Sequence, residues 1–168
     1  MKRILSILFV IILTLSGIFA QEDEILKLKV KIIEIQNKNK LGFNNFTLCS
    51  NIISFASYVP LPEPVVEKDG TLLIYYEPAN VFTSKKNGLY EIWYTQDMSL
   101  LSEEGKLLFE KKDALSFHYT TKIPIMDLYA TNTLTLTGLS PGKYKFKATL
   151  KDKLRGKTAI KIVDFEIR

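Results

Sequence analysis

The residue types that build most catalytic and metal centres are nearly missing from this 168-residue chain: it has one cysteine, one histidine and one tryptophan. A single cysteine, Cys49, permits no intramolecular disulfide, so stability has to come from packing. It lies in the apolar run 46–58 and reads as a small buried hydrophobe, with an intermolecular disulfide as the other use open to it. A single histidine, His118, cannot build a histidine-rich metal site, and no cysteine lies near it in sequence. There is no phosphate-binding glycine loop, no calcium loop and no nucleophile elbow. No stretch carries a helical period over about 11 residues. These absences leave no cofactor to expect and point away from an enzyme.

Long apolar runs are also scarce, with one exception at the start. Lys2 and Arg3 precede a nearly unbroken apolar run from Ile4 to Leu15, and Ser16-Gly-Ile-Phe-Ala20 leads into the polar Gln21-Glu-Asp-Glu24. Basic, apolar and small-residue regions in that order predict a secretory signal at residues 1–20 with cleavage after Ala20. The run is shorter than the roughly 20 residues a spanning helix wants, and no cysteine stands at the cleavage point to take a lipid. The expected location is therefore periplasmic or extracellular. Residues 21–168 then form one domain, large enough to bury its own core. Lys2 and Arg3 leave with the signal, so the formal charge falls from +5 to +3. A balance that mild does not call for nucleic acid. The Lys, Ile and Asn bias suggests a bacterial source, in which the sequon Asn45-Phe-Thr47 has no use.

What fills the remainder is alternation of period two. Leu26, Leu28, Val30 and Ile32 alternate with Lys27, Lys29 and Lys31 and predict a first strand. Further strands are expected over 46–58, 71–77, 89–95, 107–109, 116–123, 133–137, 143–151 and 158–167. Pro60, Pro62 and Pro64 confine 59–64 to an edge or crossing segment. Asp69-Gly70 and Asn87-Gly88 mark turns, and Gln96 to Gly105 reads as a loop. Many short strands with turn residues between them predict an all-β, antiparallel β-sandwich of the immunoglobulin or fibronectin type. The most informative stretch is Leu139-Ser-Pro-Gly-Lys-Tyr144. Pro141 presets a turn and Gly142 can take the positive φ that closes it. Tyr144 then enters the penultimate strand at the position of a tyrosine corner, where the hydroxyl bonds backbone upstream and ties two sheets together.

Two blocks together resemble a known family. Phe46-Thr-Leu-Cys-Ser-Asn-Ile-Ile-Ser-Phe-Ala56, a proline-containing crossing, Leu72-Leu-Ile-Tyr-Tyr-Glu77 and Leu89-Tyr-Glu-Ile-Trp-Tyr94 form the first. Leu139–Tyr144, Asp152 and Val163-Asp-Phe-Glu-Ile167 form the second. Their order is similar to the β-sandwich portion of bacterial secreted proteins that carry a GWxTD domain. The Gly-Trp-x-Thr-Asp segment is absent: the only tryptophan is Trp93, inside a predicted strand. The resemblance implies a fold and supplies no catalytic residues. The second block alone also fits fibronectin-like modules and small proteinase-inhibitor sandwiches.

Three candidate sites remain. Ser116 and His118 face one side of a strand and are the starting point for a secreted hydrolase, without a carboxylate placed to complete a triad. Tyr75 and Trp93 point outward if Glu77 and Glu91 do, and an outward pair on neighbouring strands makes a stacking platform for sugar or peptide. The competing arrangement is a pair covered by a loop, or a Trp93 buried in the core. Lys143, Lys145, Lys147 and Lys151 line one face of a strand. They form either a surface for anionic partners such as lipid head groups or acidic glycans, or a solvated face that discourages aggregation. No aromatics interleave with them, which ranks nucleic acid last. The expectation is a secreted or periplasmic non-catalytic module that binds or scaffolds an envelope protein or glycan.

Overall fold

The computed structural model describes residues 21–168; the expected signal at 1–20 lies outside the described residues. Residues 21–38 are helical (α1), not the first strand that the alternation at 26–32 predicts. The stretch contains no glycine or proline and is built from Leu, Ile, Lys and Glu, most of them good helix formers. Asp23 and Lys27, and Glu34 and Lys38, stand four apart with the acid first, a spacing that supports a helix. Along α1, Leu26, Lys29, Val30, Ile33, Gln36 and Asn37 are the residues turned away from solvent, recurring at steps of three and four. The Asn39 side chain bonds the Ile35 carbonyl at 3.0 Å and closes the last turn. Asn37 fixes the helix to the sandwich: its amide donates to Thr83 O at 2.8 Å and accepts from Thr83 N at 3.0 Å.

Ten strands follow: β1 (Gly42–Ser54), β2 (Ser57–Pro60), β3 (Val65–Val66), β4 (Thr71–Ala79), β5 (Thr83–Lys86), β6 (Leu89–Ser102), β7 (Leu107–Thr121), β8 (Ala130–Thr135), β9 (Gly142–Asp152) and β10 (Lys157–Ile167). One sheet runs β2-β1-β4-β8; the other runs β3-β10-β9-β6-β5, with β7 also paired to β6. The final hairpin β9–β10 adds to β6, while β1, β4 and β8 make the opposing layer. That pairing makes the fold an immunoglobulin-like sandwich. All pairings are antiparallel except β3 beside β10.

The short β3 and β5 are covered by no expected strand, β8 starts three residues early, and three further boundaries differ more. The run 46–58 is a hairpin, broken where Ala56 takes φ 54°. The loop expected at 96–105 is mostly strand: β6 continues to Ser102, because Gln96, Asp97 and Ser99 are buried polar residues inside the sheet. The two strands expected at 107–109 and 116–123 are one, interrupted by a bulge in which Asp113 adopts φ 45°. Asn87-Gly88 is the hairpin turn between β5 and β6, with φ of 51° and 76°.

Leu72, Ile74, Leu100, Leu136, Phe146, Ala148 and Ile167 join in one buried cluster between the sheets. A second cluster gathers Val81, Ile92, Tyr94 and Leu150. Burying a side chain such as Phe146 or Leu150 is worth roughly 1.5–3 kcal/mol, and these alternating positions set the register: a slip of one residue would turn them all to solvent. Across the core, Tyr76 Oη donates to Gln96 Oε1 at 2.8 Å, and Gln96 Nε2 donates to Asn132 Oδ1 at 3.0 Å. Three strands from both sheets are thereby joined by side chains.

Candidate functional site

The residues at the start of β9 frame a cleft of about 520 Å³. Tyr144 lies two residues after Gly142, the first residue of β9, whose φ of 148° admits the tight entry. Its hydroxyl donates to Ser140 O at 2.8 Å, and its ring stacks on Phe165 with centroids 5.9 Å apart. The strand therefore starts from a fixed corner, built from Leu139, Pro141, Gly142 and Tyr144. Lys143 and Lys145, on either side of Tyr144, lie along the cleft with Glu63, Glu103, Glu166 and Arg168.

Charge in this cleft is paired. Lys145 Nζ stands 2.7 Å from Asp164, Lys143 Nζ 3.7 Å from Glu103, and Arg168 Nε 2.8 Å from Glu166. The Asp164 bond holds the Lys145 amine above its ordinary value, and the Arg168 bond holds the Glu166 carboxyl below its own. Further along β9, Lys151 reaches Asp97 at 2.5 Å. Burial works against the Asp97 charge, but the bonds from Lys151 and from Asp113 N outweigh it and leave the carboxyl below the usual range. Lys147 alone of the four has no ion pair among the described residues; its cross-strand neighbours are Ser99 and Ile162. Lys143, Lys145, Lys147 and Lys151 do share the outer face of β9. Acids from neighbouring strands and turns interleave with three of them and dilute the positive potential that a bare stripe would have.

Tyr75 and Trp93 do not form a platform. Alternation places each on the outer face of its own sheet, but β4 and β6 belong to different sheets. Tyr75 is fully buried there: Tyr58 and Tyr129 stack on it at 4.2 and 5.9 Å, and the β1–β2 turn folds across it. Its hydroxyl accepts from Ala56 N at 2.9 Å and donates to Glu77 Oε1 at 2.8 Å. Burial, together with the Glu77 carboxylate, pushes the phenol up to about 12. Trp93 is half-buried, and the inward aromatics on β6 are Tyr90 and Tyr94.

Trp93 instead stacks on His118 across β6 and β7, with centroids 4.4 Å apart and planes at 15°. His118 Nε2 meets Glu91 Oε1 at 2.8 Å. Ser116 and His118 share this face, yet among the described residues no hydrogen bond joins them. The Glu91 contact depends on the β6–β7 register and is therefore not legible from local sequence. Asp152, which the sequence marks only as part of the second block, has a structural task. It is buried at the β9–β10 turn and accepts from Phe82 N, Leu154 N and Arg155 N at 2.8, 3.0 and 3.0 Å. Among the described residues, no three His, Cys, Asp or Glu side chains gather as a metal site. No described helix is long and apolar enough to cross a membrane.

No family model and no curated protein matches this chain. Solved structures do. The Pseudomonas fluorescens alkylpurine DNA glycosylase AlkC, bound to DNA containing an abasic site analogue, superposes at 9% identity and a TM-score of 0.45, over 77% of this chain and 30% of its own. An immunoglobulin-like protein from Pseudomonas aeruginosa superposes at 11% identity and a TM-score of 0.34, over 77% of this chain and 98% of its own. The chain thus spans under a third of the glycosylase. Its assignment as an immunoglobulin-like sandwich rests on its own strand order.

Proposed function

We propose that the chain is an exported, non-catalytic immunoglobulin-like module that binds a protein or glycan partner of the bacterial envelope. The observation that carries this reading is how the chemistry-bearing side chains are employed. His118 is stacked on Trp93 and bonded to Glu91. Asp152 holds two turns by their backbone, and Cys49 is buried in β1. Each serves the fold. The corner cleft supports recognition of another kind: a fixed, near-neutral concavity with paired charges of both signs suits an extended polar segment more than a single anion. The leader-like residues 1–20 support export, and the resemblance to the sandwich portion of GWxTD proteins supports an envelope setting.

Two measurements test the reading. Mass spectrometry of the protein recovered from the periplasm or medium should find an N-terminal peptide beginning at Gln21. A panel of ester, peptide and glycoside substrates at several pH values should show no turnover above that of a His118→Ala variant. Turnover that the substitution abolishes would replace the binding module with a hydrolase built on Ser116 and His118.

A further inference from the structure

Helix α1 carries two apolar stripes, and only one is used. Leu26, Val30 and Ile33 are turned from solvent, with Ile33 buried, and Asn37 on the same side bonds Thr83 of the sandwich. Ile25, Leu28, Ile32 and Ile35 stay between 43% and 56% exposed. At about 100° per residue the two stripes lie on nearly opposite sides of the helix. A surface helix normally keeps one apolar stripe and makes its far side polar. Here the far side holds four large aliphatic residues at spacings of three, four and three.

That spacing is the a/d seam of a coiled coil, with Ile25 and Ile32 at a, and Leu28 and Ile35 at d. Isoleucine at both a positions with Leu28 at the first d favours two parallel strands, and Ile35 at the second d departs from that rule. The flanking charges agree. In a parallel pair the g position faces the following e position of the other helix. Glu24 then meets Lys29 of the second copy, twice by symmetry, and Lys31 meets the uncharged Gln36. An antiparallel pair would set Lys31 against Lys31 and Lys29 against Lys29, with Glu24 against Lys38 as its attractive contact. Asn37 and Ile33 hold the helix by the side away from Ile25, Leu28, Ile32 and Ile35, and Lys29 and Gln36, half-buried, mark the border between the two.

We infer that α1 pairs with α1 of a second copy of this chain, in parallel and in register through Ile25, Leu28, Ile32 and Ile35, so that the module works as a two-headed dimer. Four side chains per helix make a weak dimer that responds to concentration. The occupant that competes with a second copy is a lipid surface, which an apolar stripe among lysines also suits.

The test is sedimentation equilibrium on the full chain, expressed with its own N-terminus and purified as it is recovered, beside Leu28→Glu and Ile32→Glu variants. A parent that dimerises with rising concentration is expected, with each variant raising the dissociation constant by more than about tenfold. The thermal midpoint should stay unchanged, because both positions are exposed. A Leu28→Cys variant should oxidise to a disulfide-linked dimer, since d faces d only in a parallel pair. A parent monomeric up to about 0.5 mM would overturn the inference, as would a dimer that survives both glutamate variants. Cross-linking between Leu28→Cys and Ile32→Cys chains, with none between two Leu28→Cys chains, would overturn the parallel pairing. Binding of the parent to phosphatidylglycerol vesicles that the glutamate variants lose, without dimerisation, would overturn it in favour of lipid.

Discussion

The Tyr76 hydroxyl on one sheet donates to Gln96 Oε1 on the other at 2.8 Å, and both side chains are fully buried. Burial raises the Tyr76 phenol far above its ordinary value, with the neighbouring Tyr94 adding to the effect, so it stays a neutral donor. Removing one partner strands the other. Tyr76→Phe should destabilise the fold by about 1–3 kcal/mol, and Gln96→Leu by at least as much, because it also deprives Asn132 Oδ1 of its donor. The double variant should cost less than the sum of the two. Urea unfolding of all three gives the cycle; strict additivity would mean that the bond contributes nothing.

Asp152 ties the β9–β10 turn to the β4–β5 connection through three backbone donors. Asp152→Ala leaves those amides without an acceptor in a buried place and should cost roughly 2–4 kcal/mol. Hydrogen exchange should locate the loss: the amides of Phe82, Leu154 and Arg155 should lose protection first.

Tyr144→Phe keeps the ring on Phe165 and removes only the bond to Ser140 O. A loss of about 1 kcal/mol is expected in urea. No change in midpoint would reduce the corner to ring packing.

The Asp97–Lys151 pair predicts a pH profile with two limbs. The folded Asp97 carboxyl lies below its ordinary 3.8, so its contribution is complete above that value and is lost as pH falls through the lower folded value. The Lys151 amine lies above its ordinary 10.5 because of the bond to Asp97, so its contribution is complete below 10.5 and is lost as pH rises through the higher folded value. Urea midpoints should fall at both ends, and Asp97→Asn should flatten both limbs.

How far the chain was legible depended on how local each signal was. The final hairpin, the corner at Tyr144 and the faces of β4, β6 and β9 followed from alternation and turn chemistry within a few residues. Helix α1 did not, because Leu26 to Ile32 satisfies a period of two as well as a helical one. Only by adding Ile25, Ile33 and Ile35 do the two stripes separate. Strand β7 looked like two because the charged residues Glu110 to Asp113 occupy its bulge. Alternation also told which face Tyr75 and Trp93 occupy but not which sheet they join, since sheet membership is decided by pairing partners far along the chain. The same limit hid the Glu91 contact with His118.

Cys49 gives the chain a built-in clock. It is the only thiol in the protein, it is 2% exposed, and burial raises its pKa. It stands in β1 between Leu73 of β4 and Pro60 of β2. A thiol reagent can reach it only when that edge of the sheet parts. The labelling rate of the unmodified protein, followed against urea, therefore reports how often the β1–β2 corner opens and whether it opens alone or with the entire sandwich.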